Sequence, residues 1–474
     1  MDNRSLSRRE ALKLAAAATG GVLAGTVTSG ALVPPGVAAQ DASPTAIPEV
    51  QVPTGDELEG FVPMLTDEPI TLEYWWGNQY EPAIEFTDQI IARFSVAYPQ
   101  VTVNPVAGQN CDAFVTAVAA GTPPDLFHTW DCVERMGNFA ERGLIIPLDG
   151  YIAESGFDLD DFGQGVMDVV RMDGQTWGMV DSAGLYLLWT RPPILADIGK
   201  PPDALPADTD ELWTWAAEAT VRDPNGNIER LGFAPPTTDL WQWFAWISNF
   251  GGVIWDTETG QPTPDHPGVL AALNDVVTQV NVYGPENLTR WTASMQAQTG
   301  APPPYFTGNL AMMIDGDWTG QVVFDSGLPW EFGVDYNAGA LPPPPAAKLQ
   351  GESKVVLWAW PWVIPAGTEH PDWSWELLRF MLSPEYQINV HSRFKEILVR
   401  KSMLGDDRLW YPTVTVADSI INGPRPLTTV LPMIPVGAEY STLLSEAFER
   451  VSNLEETPEQ AMARVKEETL AEMR

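Results

Sequence analysis

Residues 119–152, AAGTPPDLFHTWDCVERMGNFAERGLIIPLDGYI, constrain the fold more than any other stretch, because a helix stop, a strand and a second helix follow one another within them. Ala119 and Ala120 close an apolar-periodic helix at Gly121, and Thr122-Pro123-Pro124 forbids its continuation. Asp125 leads into the short apolar strand run Leu126-Phe127. Trp130 and Asp131 then emerge at the carboxyl end of that strand, the edge at which open α/β sheets bind ligands.

The same alternation begins at Ile70. Ile70 to Trp76 has strand composition and stops at Gly77-Asn78; Ala83, Phe86, Ile90, Phe94 and Ala97 follow helical spacing up to Pro99; Val101 to Val103 is the next strand. Strand, helix and strand in this order imply a parallel sheet with right-handed crossovers. Further on, Asp208 and Glu211 cap a helix, and Thr457, Pro458 and Gln460 form a capping box for the last one. A chain of 474 residues exceeds what one core usually organises, so two domains are expected.

The amino terminus is read as a targeting segment. Ser7-Arg8-Arg9 precedes a run rich in Ala, Gly, Thr and Val that ends near Ala38-Ala39, the layout of a cleavable signal; its twin arginines resemble a Tat signal over 1–39. Residues 40–69, rich in Pro, Thr, Asp and Glu without periodicity, read as a flexible linker. No Cys lies near the cleavage site and no later apolar run is long enough to span a bilayer. Export to the periplasm or the outer face of the cell membrane, without a lipid anchor, is therefore expected. The formal charge of −37 repels phosphate backbones, which argues against a nucleic-acid partner. Cys111 and Cys132, the two cysteines present, are free to pair in an oxidising compartment, with two inert thiols as the alternative. The four histidines are scattered without zinc-type spacing, so neither metal nor cofactor is expected.

Seven short motifs in a fixed order carry a resemblance over 70–474. They are Phe94 to Pro99, the 119–152 segment, Asp173-Gly174, Phe250-Gly251-Gly252, Gly308 to Trp318, the Pro342 to Pro345 loop, and Leu382-Ser383-Pro384-Glu385. Together they resemble the extracellular solute-binding proteins of ABC importers, in particular the carbohydrate-binding, maltose-binding-protein-like branch. Two positions depart from that pattern: Val180 stands where Pro is usual, and Trp189-Thr190 where Tyr-Asn is frequent. The resemblance implies a periplasmic-binding-protein-like α/β fold of two lobes with a ligand cleft and crossing hinge strands. The lobes are expected at 70–182 plus 333–395 and at 183–332 plus 396–474. Permease subunits of an importer are the implied protein partner, and the chain is expected to act as a monomer.

Candidate binding residues come from strand ends and from aromatic placement. Twenty tryptophans are several times ordinary usage, and an indole face can stack on the apolar face of a sugar ring. Trp358, Trp360 and Trp362 alternate along one apolar run and share a face if it is extended; Trp358 and Trp360 are taken as site candidates. Trp243, Trp246, Ile247 and Phe250 follow core helical spacing, which turns Trp241 away toward a cleft. Trp318 follows Asp315-Gly316-Asp317 at a position that in the resembled family often stacks on ligand. Polar partners are sought at Asn78 and Gln79 after Trp76, at Asp131 and Glu134 beside Trp130, at Asp181 and Ser182, at Asp317, and at Arg393. Capping of the following helix is the competing role for Asn78 and Asp131, and a surface ion pair for Arg393.

Enzyme signatures are missing: there is no G-x-S-x-G, P-loop, G-x-G-x-x-G or H-E-x-x-H sequence. Asp315 and Asp317, two residues apart on a turn, are poorly placed to flank one glycosidic bond. The expected role is capture of a sugar or oligosaccharide by hinge closure. A non-sugar solute (polyol phosphate, peptide or polyamine) and an exported polysaccharide-degrading enzyme are the alternatives.

Overall fold

The computed structural model describes residues 68–474 except 164, 238, 297–302, 395–396, 404–411, 422 and 429–430. The Tat-like segment 1–39 and all of the 40–69 linker but its last two residues lie outside the described residues.

Period-2 burial sets the first half of the sheet. In Ile70–Trp76 the side chains of Leu72, Tyr74 and Trp76 are buried while Thr71 is exposed, so one face of the strand enters the core. The strand pairs in parallel with Val101–Ala107 on one side and with Leu126–His128 on the other. The crossover helices are Glu81–Ala97, which buries Phe86, Ile90 and Phe94, and Cys111–Ala119. The latter is capped by the Asn110 side chain, which accepts from the Ala113 N–H, and ends before Gly121 at φ 74°.

The centre of the molecule is the strand Met179–Thr190, buried at every position. Its first half pairs antiparallel with Val355–Val363 and with Ile397–Leu398; its second half pairs antiparallel with Leu310–Gly316 and with Asn337–Gly339. The sheet order is Val101–Ala107, Ile70–Trp76, Leu126–His128, Val355–Val363, Met179–Thr190, Leu310–Gly316, Ile228–Phe233, Val221–Arg222. Two α/β lobes thus share one strand.

The lobes differ in detail from the division read in the sequence. The expected boundary between Ser182 and Ala183 falls inside a continuous strand. Asn337–Gly339, expected with 70–182, hydrogen-bonds instead along Leu188 to Thr190 beside Leu310–Gly316. Residues 333–395 therefore serve both lobes, because a returning chain can fill an open edge on either side of the shared strand. The helix Gly437–Ser452 packs on Leu240–Asn249 and Pro267–Tyr283 but also touches Val133–Arg135 and Met136–Glu141 across the lobe boundary. Three local signals recur as read. The box at Thr457 and Gln460 is formed, Asp208 accepts from the Glu211 N–H, and Asp173-Gly174 makes a tight turn between Arg171–Met172 and Gln175–Thr176.

Cys111 and Cys132 are bonded, with Cα atoms 5.7 Å apart. The bond ties the start of the Cys111–Ala119 helix to the loop that carries Trp130 and Asp131. Closing a loop of 21 residues restricts the unfolded chain by about 3 kcal/mol. A Cys111→Ala/Cys132→Ala double variant should lose about that much stability in urea unfolding, while dithiothreitol should lower the parent and leave the variant unmoved. Equal sensitivity of both proteins to the reductant would rule the bond out.

Candidate functional site

A cavity of about 330 Å³ opens at the carboxyl ends of the first-lobe strands, on the shared strand. Its walls come from both lobes. Trp76, Asn78, Tyr80, His128 and Trp130 stand on one side; Tyr305, Phe306, Met313, Asp315, Asp317 and Trp318 on the other; Asp181, Ser182 and Gly184 form the floor with Trp360.

The floor owes its shape to a bulge. Val355–Val363 pairs Ala359 with Ala183 and Pro361 with Val180, so Asp181 and Ser182 together face the single residue Trp360. An extra residue in one strand re-aims the side chains around it. Asp181 and Ser182 both reach the cavity for this reason, although neighbours in a regular strand point to opposite faces. The Ser182 hydroxyl donates to Asp181 at 3.1 Å, and Gln387 donates to the Asp181 carbonyl at 3.0 Å.

Two tryptophans lie over glycines. A Cβ on Gly316 would sit 2.2 Å from the Trp318 ring, and one on Gly77 would sit 3.2 Å from the Trp130 ring. Only a residue without a side chain at 316 lets Trp318 lie against the strand, while Gly77 makes room first for the Thr129 hydroxyl, 2.6 Å from such a Cβ, and then for Trp130. Trp318 is further braced edge-on by Tyr186 at 5.5 Å, and Trp130 meets Trp360 at 5.5 Å. Trp189, one of the two departures from the resembled pattern, donates from its indole to the carbonyls of Asp315 and Gly316, each at 3.1 Å, and so holds the Trp318 turn from behind.

The ionisable groups of the cavity are unusual in sign and burial. Asp317 gives one carboxylate oxygen to the Leu185 N–H at 3.1 Å, and its own N–H donates back to the Leu185 carbonyl at 3.0 Å. Burial pushes the Asp317 carboxyl up to about 7, and those of Asp181 and Asp315 up to about 6. His128 stacks on Trp362 at 4.0 Å, and burial lowers it to about 3, so it is neutral at ordinary pH. The Tyr74 hydroxyl lies 3.4 Å from its Nδ1. Across the mouth, the Tyr80 hydroxyl donates to Asp325 at 2.8 Å, joining the helix that follows Trp76 to the helix that follows Trp318.

Of the residues singled out in the sequence, Trp76, Asn78, Trp130, Asp181, Ser182, Asp317, Trp318 and Trp360 come together around this cavity. Asn78 also accepts from the Tyr80 N–H at 2.8 Å and so shapes the turn into the following helix. Gln79, Asp131, Glu134, Trp241 and Trp358 do not line it. Gln79 is exposed and packs against Gly108; the Asp131 carboxylate turns back to the Thr129 hydroxyl. Glu134 lies beside the start of Gly437–Ser452, and burial pushes its carboxyl up to about 7. Trp241 and Trp358 meet each other with ring centroids 3.7 Å apart, one from the Leu240–Asn249 helix and one from the sheet. Trp243, Trp246, Ile247 and Phe250 are fully buried, as helical spacing requires. Arg393 belongs to the Pro384–Phe394 helix, and its side chain lies outside the described residues. Tyr80, His128, Tyr305 and Phe306 were not read from the sequence. Gly77 and Gly316, each next to aromatic residues at a strand end, were the available signal.

Residues 80–388 match the sequence model of the bacterial extracellular solute-binding proteins. The chain belongs to that family. A maltotriose-binding protein of Pyrococcus abyssi (strain GE5 / Orsay) is 25% identical to this solute-binding protein over 325 residues, 65% of this chain and 62% of the relative, less than two thirds of the relative's length. Two solved structures share the fold. CpMnBP1 with mannotriose bound has a TM-score of 0.71 at 23% identity, covering 84% of this chain and 99% of that one. The maltose/maltodextrin-binding domain MalE from Bdellovibrio bacteriovorus, bound to maltotriose, has a TM-score of 0.63 at 18% identity, covering 85% and 100%. Among the described residues no helix of this solute-binding protein is long and apolar enough to cross a membrane.

An Asp held neutral by burial stabilises the fold at low pH and loses that contribution as pH rises through its folded value. Asp317 titrates near 7 rather than 3.8, so its ionisation weakens the empty protein between pH 5 and 8. Asp317→Asn keeps the acceptor for the Leu185 N–H and should gain on the parent by about 2–3 kcal/mol over that range, measured by urea unfolding at both pH values. A difference independent of pH would show that the carboxyl is not buried in this way.

Proposed function

We propose that this chain is the extracytoplasmic binding component of an ABC importer, and that it captures a sugar or oligosaccharide by closing its two lobes around it. The observation that carries the reading is a cavity whose tryptophans come from both lobes, Trp76, Trp130 and Trp360 from one and Trp318 from the other. A ring stacked between them touches both lobes, and only such a ligand stabilises the closed state over the open one. Asn78, Ser182 and Asp317 offer donors and acceptors to hydroxyls. The relatives bound to maltotriose and mannotriose support a saccharide as cargo. In this reading the Tat-like segment 1–39 is removed on export, 40–69 is a tether without a lipid anchor, and the closed monomer is presented to the permease subunits. Binding, not catalysis, is the task.

The Tyr80–Asp325 hydrogen bond spans the mouth of the cavity and would favour closure.

Three outcomes test the reading. A panel of neutral sugars and oligosaccharides should raise the melting temperature of the purified protein for at least one member, since ligand at 100 times its Kd adds about 2.7 kcal/mol. Release of sugar from a polysaccharide, with no such shift, would favour the degrading enzyme instead. Against the sugar found, Trp318→Ala and Trp360→Ala should each weaken binding by about tenfold, the scale of one lost aromatic stack. Tyr80→Phe should weaken it a few-fold through faster release, seen in stopped-flow tryptophan fluorescence. Unchanged affinity in both tryptophan variants would remove the cavity from consideration.

A further inference from the structure

The charge balance of the cavity is one-sided. Asp181, Asp315 and Asp317 line it, and no Lys or Arg does among the described residues. The cation nearest to being a partner, His128, lies 3.7 Å from Asp181 but is kept neutral by burial. No ion pair among the described residues involves Asp315 or Asp317. Asp317 is 3% exposed, and one of its two oxygens is engaged by the Leu185 N–H. Carboxyls this deep ordinarily sit opposite a protein cation.

The lining of the same space by Trp76, Trp130, Trp318 and Trp360, drawn from both lobes, points to a ligand rather than to a structural acidic cluster. Trp76 lines the same cavity, is 6% exposed, and its indole N–H has no hydrogen-bond partner. Both oxygens of Asp315 are taken, by the Gly316 N–H and the Thr319 hydroxyl, and one oxygen of Asp181 by the Ser182 hydroxyl, so what the enclosed space lacks is an opposite charge rather than hydrogen-bond donors. Indole faces surround that space, and they attract a positive charge as well as the apolar face of a ring. At about 330 Å³ it lies near the lower end of ligand pockets, which suits one or two rings.

We propose that the cleft takes a saccharide of one or two rings that bears a free amine, its ammonium supplying the positive charge that Asp181, Asp315 and Asp317 lack. The inference rests on the carbohydrate reading and narrows it. A carboxylate or phosphate on the ring would meet three acidic groups with no offsetting cation, so acidic sugars and polyol phosphates are excluded. Removing the charge by N-acetylation removes the gain while leaving the ring.

The test uses matched sets on the purified full chain, with affinity read by calorimetry and tryptophan fluorescence. Each set contains a neutral sugar, its 2-amino form, its N-acetylated form and its uronate, for the glucose, mannose and galactose series and for the two-ring glucose series; spermidine is a further arm. In the set that binds, the free amine should bind at least about tenfold more tightly than the neutral and N-acetylated forms, with the uronate weakest and the preference shrinking as salt is added. Asp317→Asn should narrow the ratio of amine to neutral affinity. Amine, neutral and N-acetylated forms binding within threefold of one another would overturn the inference and leave the carbohydrate reading standing. Binding of spermidine with no saccharide bound in any set would overturn the carbohydrate reading itself, and absence of binding throughout would overturn both.

Discussion

The structure depends on one strand that belongs to two sheets at once. Met179–Thr190 is buried along its whole length, paired with Val355–Val363 in its first half and with Leu310–Gly316 in its second. A strand in this position has no solvent face, so every residue on it must be apolar, small or fully hydrogen-bonded. Asp181 and Ser182 meet that demand by bonding to each other and the Thr190 carbonyl by accepting from Tyr305, whereas the Thr190 hydroxyl is an exception, buried without a hydrogen-bond partner. The bulge opposite Trp360 interrupts the pairing beside the cavity, where it delivers two adjacent polar side chains to the same side.

The cleft follows from what the strand forces on its neighbours. Gly184 and Gly316 leave room for the Trp318 indole, and Tyr186, Trp189 and the Asp317–Leu185 pair fix the turn that holds it. Each of these contacts joins the shared strand to the second lobe, so the second-lobe wall of the cleft and the crossing point are one rigid unit. The first-lobe wall is anchored separately, through the Cys111–Cys132 bond and through Trp130 lying over Gly77. The hydrogen bond from Tyr80 to Asp325 crosses the mouth between the two walls. Two rigid walls joined at a strand and met by a weak contact at the rim are what hinge closure requires.

Electrostatics sharpen the picture. The acidity of the chain as a whole is a property of its surface, but the acidity of the cavity is local: burial makes Asp181, Asp315 and Asp317 hold their protons to higher pH than usual, against hydrogen bonds from Ser182, Thr319 and Leu185 that favour the anion. A ligand that enters displaces water and alters that balance, so binding and protonation are coupled at this site by the same groups that shape it, a positive charge drawing protons off the carboxyls.

The sequence was enough to read the α/β alternation, the helix stop at Gly121, the helix start at Thr457-Pro458, the core face of Trp243, Trp246 and Phe250, and the family, because each rests on local spacing or on motif order. It was also enough to mark strand ends as ligand-facing, which brought Trp76, Trp130, Asp181 and Trp318 to attention. It could not separate Trp360 from Trp358, or Trp130 from Asp131, since members of such a pair are equal in composition and differ only in what packs against them. Trp358 is engaged by Trp241 and Asp131 by Thr129, partners that no local spacing reveals. The bulge, the interlobe bond from Tyr80 and the uncompensated carboxyls likewise arise from residues as far as 245 positions apart. Local pattern determined which elements form and what kind of edge they present; only the tertiary structure decided which side chains share one enclosed space, because burial and charge balance depend on neighbours from distant parts of the chain.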